Sequence, residues 1–223
     1  MGAVIGEVLP LALGIAISPV PIIAAILMLL SPKARVTSVG FLLGWLVGIV
    51  VAVTVFTLLS AALPPQDADA ADPTRATIQI VLGALLLLVA LRQWRKRPRD
   101  GAEPPLPGWM KAIDRTSAPV AIGMGFLLSA VNPKNLLMAA GAGVSIGAAS
   151  LSTGEIITAI AVFTLIAAST VLVPVIGYLI ASAKLRGPLD ALRRWLAMEN
   201  AVIMAVLLLV IGVTLIGKGL GGF

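Results

Sequence analysis

The 223-residue chain contains no cysteine and no histidine. Without cysteine there are no disulfides, no thiolate metal sites and no thiol redox chemistry. Without histidine the chain lacks the commonest metal ligand and the commonest proton relay near neutral pH. Charge is scarce as well: 12% of the residues are Asp, Glu, Lys or Arg, and 4% are aromatic. A soluble domain is about a quarter charged. No nucleophile–base pair and no facing carboxylates stand out, so the chain is not expected to be an enzyme or to hold a metal or cofactor.

What the chain does have is apolar length. Hydrophobic residues make up 59% of it, in runs such as "IVLGALLLLVAL" over 80–91. About 20 apolar residues in a helix cross the hydrocarbon core. Runs of this kind do not alternate apolar with polar residues, which excludes a membrane β-barrel. The expected fold class is an all-α polytopic membrane protein. Six spans are expected at about 4–30, 36–62, 76–94, 119–149, 154–182 and 199–218. The N-terminus, "MGAVIGEVLPLALG", has no basic n-region and carries Glu7, so it reads as a retained membrane helix rather than a signal peptide.

The net charge of +6 follows topology, so no nucleic-acid partner is expected. Lys33 and Arg35 follow span 1. Arg92, Arg95, Lys96, Arg97, Arg99, Lys111 and Arg115 follow span 3, and Lys184, Arg186, Arg193 and Arg194 follow span 5. The other side has only Arg75 and Lys218. Basic loops stay cytoplasmic. The expected location is therefore the plasma (inner) membrane, with both termini outside. "GPLDALRRWLAM" over 187–198 could be a short helix lying on an anionic leaflet or an ordinary connector. Arg193, Arg194 and the basic loop 92–115 are the expected leaflet contacts. Trp94 and Trp109 look like headgroup-level anchors. A homodimer is left open.

Two interruptions stand inside apolar spans: "ISPVP" at 17–21 and "SAVNPKN" at 129–135. Pro19 and Pro133 are separated by the same offset as Gly40 and Gly154. Residues 1–95 and 119–223 then form two three-helix repeats joined by a basic cytoplasmic loop, 96–118. Three spans per half makes the second half inverted, an arrangement of secondary transporters whose substrates bind at broken helices near the midplane. Proline ends a helix but suits the first position of a new one, and Ser or Asn suits the position before it. Ser18-Pro19 and Asn132-Pro133 therefore read as starts of half-helices near mid-membrane.

A helix N-terminus presents unpaired N–H groups and partial positive charge, which favours an anion. The expected substrate-binding residues are Ser18, Pro19, Pro21, Ser129, Asn132, Pro133, Lys134 and Asn135. A lysine at the bilayer centre costs about 2.5 kcal/mol or more and is a functional candidate. It could grip an anionic group, snorkel along a watery vestibule, or donate to carbonyls freed by the break. Gly40, Gly44 and Gly48 form a GxxxGxxxG stripe expected to pack helices closely. "GVTLIGKG" at 212–219 lacks the Ser or Thr that closes a phosphate-binding loop and ends an apolar span, so no ATP-driven motor is expected.

"ISPVP" and "NPKN" on a six-span chain of this size resemble the LysE-type exporter superfamily. Within it, the chain is similar to the GAP family of actinobacterial glycolipid- or sulfolipid-addressing membrane proteins. The resemblance covers nearly the whole chain. It implies an inverted repeat of three-helix units and export from the cytoplasm, with delivery of cell-wall glycolipids. Electron-carrying relatives place cysteines beside the two prolines, where this chain has Ser18 and Asn132, so that activity is not expected. Metal export is not expected either, because neither break carries Asp, Glu, His or Cys.

The function expected is export of an anionic lipid or lipid-linked glycolipid precursor of the cell envelope from the cytoplasmic leaflet. Its headgroup would sit at the half-helix N-termini. The alternatives are a LysE-like exporter of amino acids or small zwitterions, and an accessory factor for glycolipid export.

Overall fold

The computed structural model describes residues 1–62, 73–95, 97, 113 and 116–221. The acidic loop 64–72 and most of the basic loop 96–118, with Lys96, Arg99, Trp109, Lys111 and Arg115, lie outside them. Every regular element among the described residues is an α-helix. In chain order these are α1 (Gly2–Ala16), α2 (Pro19–Leu30), α3 (Ala34–Ala61), α4 (Pro73–Arg95), α5 (Ala118–Ala130), α6 (Pro133–Ala148) and α7 (Thr153–Leu220).

α1 meets α2 at a bend of 54°, and α5 meets α6 at a bend of 62°. Both bends fall where proline follows a residue of extended backbone, Ser18 and Asn132. Proline cannot continue the preceding helix, and it biases the residue before it away from helical angles. Among the described residues, three stretches are long and apolar enough to cross a membrane: Ala34–Ala61, Thr153–Ser182 and Lys184–Gly217. If each bent pair counts as one span, there are up to five. The third span expected from the sequence falls on α4, a helix of 23 residues. The chain is an all-helical membrane protein.

α7 differs from expectation. Its single non-helical residue is Ala181 (φ −137°, ψ 50°). No separate helix begins at Pro188, which lies inside the segment Lys184–Gly217. Pro188 is the fifth residue of that segment, so the helix continues there with Lys184 O lacking its usual backbone donor. The apolar residues of 187–198 divide: Leu189 and Leu196, seven residues apart, are buried, while Leu192 and Trp195 are exposed. Arg193 pairs with Asp190 one turn earlier, at 3.0 Å.

The chain forms two compact units. One contains Met1–Pro64 and Leu106–Arg193; the other contains Pro65–Pro105 and Arg194–Phe223. In the first unit, α3 packs along both halves of the second bent pair, and α1 packs on α6. Its largest fully buried side chains include Trp45, Phe41, Phe163 and Ile26. Phe41 and Trp45 stack with ring centroids 6.2 Å apart.

The glycine stripe of α3 lies against α5. A methyl group on Gly44 would overlap the carbonyl oxygen of Ile122 and come 2.8 Å from its carbon. One on Gly48 would overlap Ser129 Oγ, and one on Gly40 would stand 3.1 Å from Ala118 O. On the α6 side, a methyl on Gly143 would stand 2.8 Å from Thr57 N. Without a hydrophobic driving force between helices in lipid, such close backbone approach supplies much of the association. The other faces of α3, with Leu43, Val47, Val51 and Leu58, are exposed. Exposed apolar residues in such number belong against lipid tails rather than water.

In the second unit, α4 and the last part of α7 approach in the same way. A methyl on Gly83 would stand 2.7 Å from Gly212 O, and one on Gly219 would stand 2.7 Å from Ala76 O. At the end of α4, the Arg97 guanidinium lies 4.4 Å above the Trp94 ring. Trp94 is exposed, which suits an amphipathic ring at a membrane interface.

Candidate functional site

The two bends share one hydrogen-bonded cluster. A helix that stops abruptly leaves carbonyl oxygens without N–H partners. In an unbroken helix, Gly14 O would accept from residue 18 and Leu128 O from residue 132. Extended backbone at Ser18 and Asn132 removes both donors. α6 replaces them. Lys134 Nζ donates to Gly14 O at 2.6 Å, and Asn135 Nδ2 donates to Leu128 O at 3.0 Å. A third carbonyl, Ala16 O, accepts from Thr170 Oγ1 of α7 at 2.6 Å. Asn135 also ties the bends to each other, because Ser18 Oγ donates to Asn135 Oδ1 at 3.1 Å.

The equivalences hold to the residue. Gly14 and Leu128 stand the same distance apart in sequence as Ser18 and Asn132, and as Pro19 and Pro133. One position before each orphaned carbonyl, Leu13 O accepts from Ile17 N at 2.9 Å and Leu127 O accepts from Val131 N at 3.0 Å. The two breaks are therefore the same motif, but both of these orphaned carbonyls are served from one side, by adjacent residues of α6.

The helix starts differ from expectation in their donors. Asn132 caps α6 by accepting from Lys134 N at 3.1 Å. Ser18 holds the equivalent position before α2 but makes no such bond. A capping side chain accepts from the second or third helical N–H. The third residue of α2 is Pro21, which has none. The Ser18 hydroxyl instead donates to Asn135. In the first three positions of α2, only Val20 carries an N–H. In those of α6, Lys134 and Asn135 do, and that of Lys134 is taken. "SPVP" thus keeps the direction of the helix while removing donors, and the Lys134 ammonium becomes the main cationic group of the cluster.

Ser18, Pro19, Pro21, Lys134 and Asn135 are buried, Asn132 is half-buried, and Pro133 is exposed. Ser129 does not join the cluster. Its hydroxyl bonds back to Gly125 O and Phe126 O, each at 3.0 Å, where α5 meets Gly48. Sequence reasoning missed Thr170 and the backbone of Gly14. The signal for Thr170 was the adjacent polar pair Ser169-Thr170 inside a largely apolar span. For Gly14 there was none, since a carbonyl carries no sequence code.

An ammonium group has three N–H donors. Lys134 Nζ has one acceptor and no acidic partner among the described residues. Gly14 O lies at the C-terminal, partially negative end of α1, which favours a cation there. That fractional charge does not cancel a full one. Among the described residues there is also no group of three or more His, Cys, Asp or Glu side chains that could hold a metal ion. Lys134 is thus the cationic donor of a cluster that is otherwise made of neutral side chains and backbone carbonyls.

No curated protein and no solved structure matches the chain. A family model described as "Sap, sulfolipid-1-addressing protein" matches residues 8–221, nearly the whole length. The chain belongs to the sulfolipid-1-addressing protein family.

Proposed function

We propose that the chain exports an anionic lipid, or a lipid-linked glycolipid precursor of the cell envelope, from the cytoplasmic leaflet of the plasma membrane. The headgroup binds at the paired breaks, and the acyl chains stay in the bilayer. The observation that carries this is Lys134: a buried ammonium with one carbonyl acceptor and no acidic partner among the described residues. A charged ammonium held in this way is costly in a membrane unless an anion completes it. The family is named for a sulfolipid, and a sulfate ester is such an anion.

In this proposal the chain has six spans in two inverted repeats of LysE type, residues 1–95 and 119–223. α1–α2 and α5–α6 are its broken spans, and both breaks lie near mid-membrane. The matched hydrogen bonds at the two breaks support the repeat, since equivalent carbonyls are orphaned in each half. Both termini face outward, and the basic side, with Arg193, Arg194 and the 92–115 loop, contacts the anionic inner leaflet. The chain acts as a transporter without catalytic chemistry. An uncompensated lysine disfavours a cationic amino acid as substrate, because like charges would meet at depth.

The test is lipid movement by the purified protein in liposomes, using a headgroup-labelled anionic lipid and a neutral one. Lys134→Met and Asn132→Ala should each slow the anionic lipid by roughly tenfold or more, the scale of a lost charge-assisted hydrogen bond. Protein yield and monodispersity should hold. Wild-type transport in both variants would sink the assignment.

A further inference from the structure

A second feature lies at the other end of α2. The turn from α2 into α3 and the kinked part of α7 border a cavity of about 360 Å³. Small-ligand sites begin at about 300 Å³. Lys33, Arg35 and Arg186 line this one, together with Tyr178 and Ser182. No carboxylate is among its lining residues, and none of the three cations has an ion-pair partner among the described residues.

Lys33 and Arg35 also flank the start of α3, a helix of 28 residues with no acidic residue in its first turn. Cations there oppose the helix dipole. Topology accounts for basic residues in this loop but not for their convergence on a cavity with a third cation from α7.

Tyr178 is a separate observation. It is the only tyrosine in the chain and is 4% exposed. Its ring is buried, while its hydroxyl makes no hydrogen bond among the described residues and is not one of the polar atoms sealed from solvent; a tyrosine placed this way keeps its O–H for a partner. It lines the cavity from the turn of α7 just before the kink at Ala181. The cavity thus combines three unpaired cations, a positive helix end and a hydroxyl donor.

We propose that this cavity binds the oxyanion of a sulfate or phosphate ester. The 12 residues of α2 separate it from the break at Ser18 by about 18 Å. That is about half the thickness of a bilayer's hydrocarbon core. The cavity therefore stands at the membrane surface when the breaks stand at the centre, and Lys and Arg place it on the cytoplasmic side. A lipid headgroup captured here is one half-helix away from Lys134. The loading role rests on the transport proposal; oxyanion binding itself does not.

The test uses the full chain in phosphatidylcholine nanodiscs containing sulfatide or phosphatidic acid, with bound lipid counted by native mass spectrometry. Inorganic sulfate and phosphate are titrated in parallel arms. The wild type should retain the anionic lipids over phosphatidylcholine. The triple variant K33Q/R35Q/R186Q should lose roughly tenfold or more of that preference, and Tyr178→Phe should weaken it several-fold. Lys134→Met should retain binding at the cavity, so failure of the midplane site leaves this result readable. Competition by free sulfate or phosphate would show a general oxyanion site, and retention without competition would show a site for lipid headgroups. Unchanged anionic-lipid retention in both the triple variant and Tyr178→Phe, with the proteins folded, would overturn the proposal.

Discussion

Replacing Asn135 by leucine would cut the link between the two breaks. The residue is fully buried. Its amide accepts from Ser18 Oγ at 3.1 Å and donates to Leu128 O at 3.0 Å. Leucine is of similar size, so the main loss is polar. Two hydrogen bonds inside a membrane protein are worth about 0.6–1.7 kcal/mol each. Asn135→Leu should therefore cost about 1–3 kcal/mol. Ser18→Ala removes one of the two bonds and should cost about 0.6–1.7 kcal/mol.

The double variant distinguishes a network from two separate contacts. With Asn135 gone, the Ser18 hydroxyl is a buried donor without an acceptor, and deleting it relieves that penalty. The double variant should thus cost about 0.5–1.5 kcal/mol less than the sum of the singles. The assay is reversible unfolding in mixed micelles, followed by tryptophan fluorescence. If Asn135→Leu matches the wild type, or the two effects add within about 0.3 kcal/mol, Asn135 does not join the breaks.

Other positions give sharper contrasts. Gly44→Ala should destabilise by about 1–3 kcal/mol, because its methyl would overlap the backbone of Ile122. Gly123→Ala, where nothing lies within 4 Å, should be neutral or stabilising by up to about 1 kcal/mol; equal effects in the same unfolding assay would discount the glycine contact. At the start of α7, Ser152 N donates to Glu155 Oε2 at 2.9 Å and Glu155 N donates to Ser152 Oγ at 3.4 Å. Ser152→Ala breaks this reciprocal cap and should cost about 1 kcal/mol, with faster amide exchange confined to the first turn of α7.

Composition was enough to make this an all-helical membrane protein, because 59% apolar residues in long runs have few other stable states. Proline position was enough to place the helix breaks at Ser18 and Asn132, since proline cannot continue a helix and biases its predecessor. The glycine spacing of α3 marked a packing face for the same kind of local reason. None of this depends on which helix lies beside which.

Partner choice does. Lys134 lies far from Gly14 in sequence, and only the packing of α1 on α6 brings its ammonium to that carbonyl. Thr170 reaches Ala16 in the same way. The roles of Ser18 and Asn132 also diverged despite equivalent sequence positions, because Pro21 removes the N–H that Ser18 would cap and Asn135 offers another partner. The merger of 187–198 into α7 and the cavity beside Tyr178 belong to this class too. Local sequence sets where a helix must stop, whereas the groups that satisfy its freed carbonyls come from elements distant in the chain and are fixed only when those elements pack.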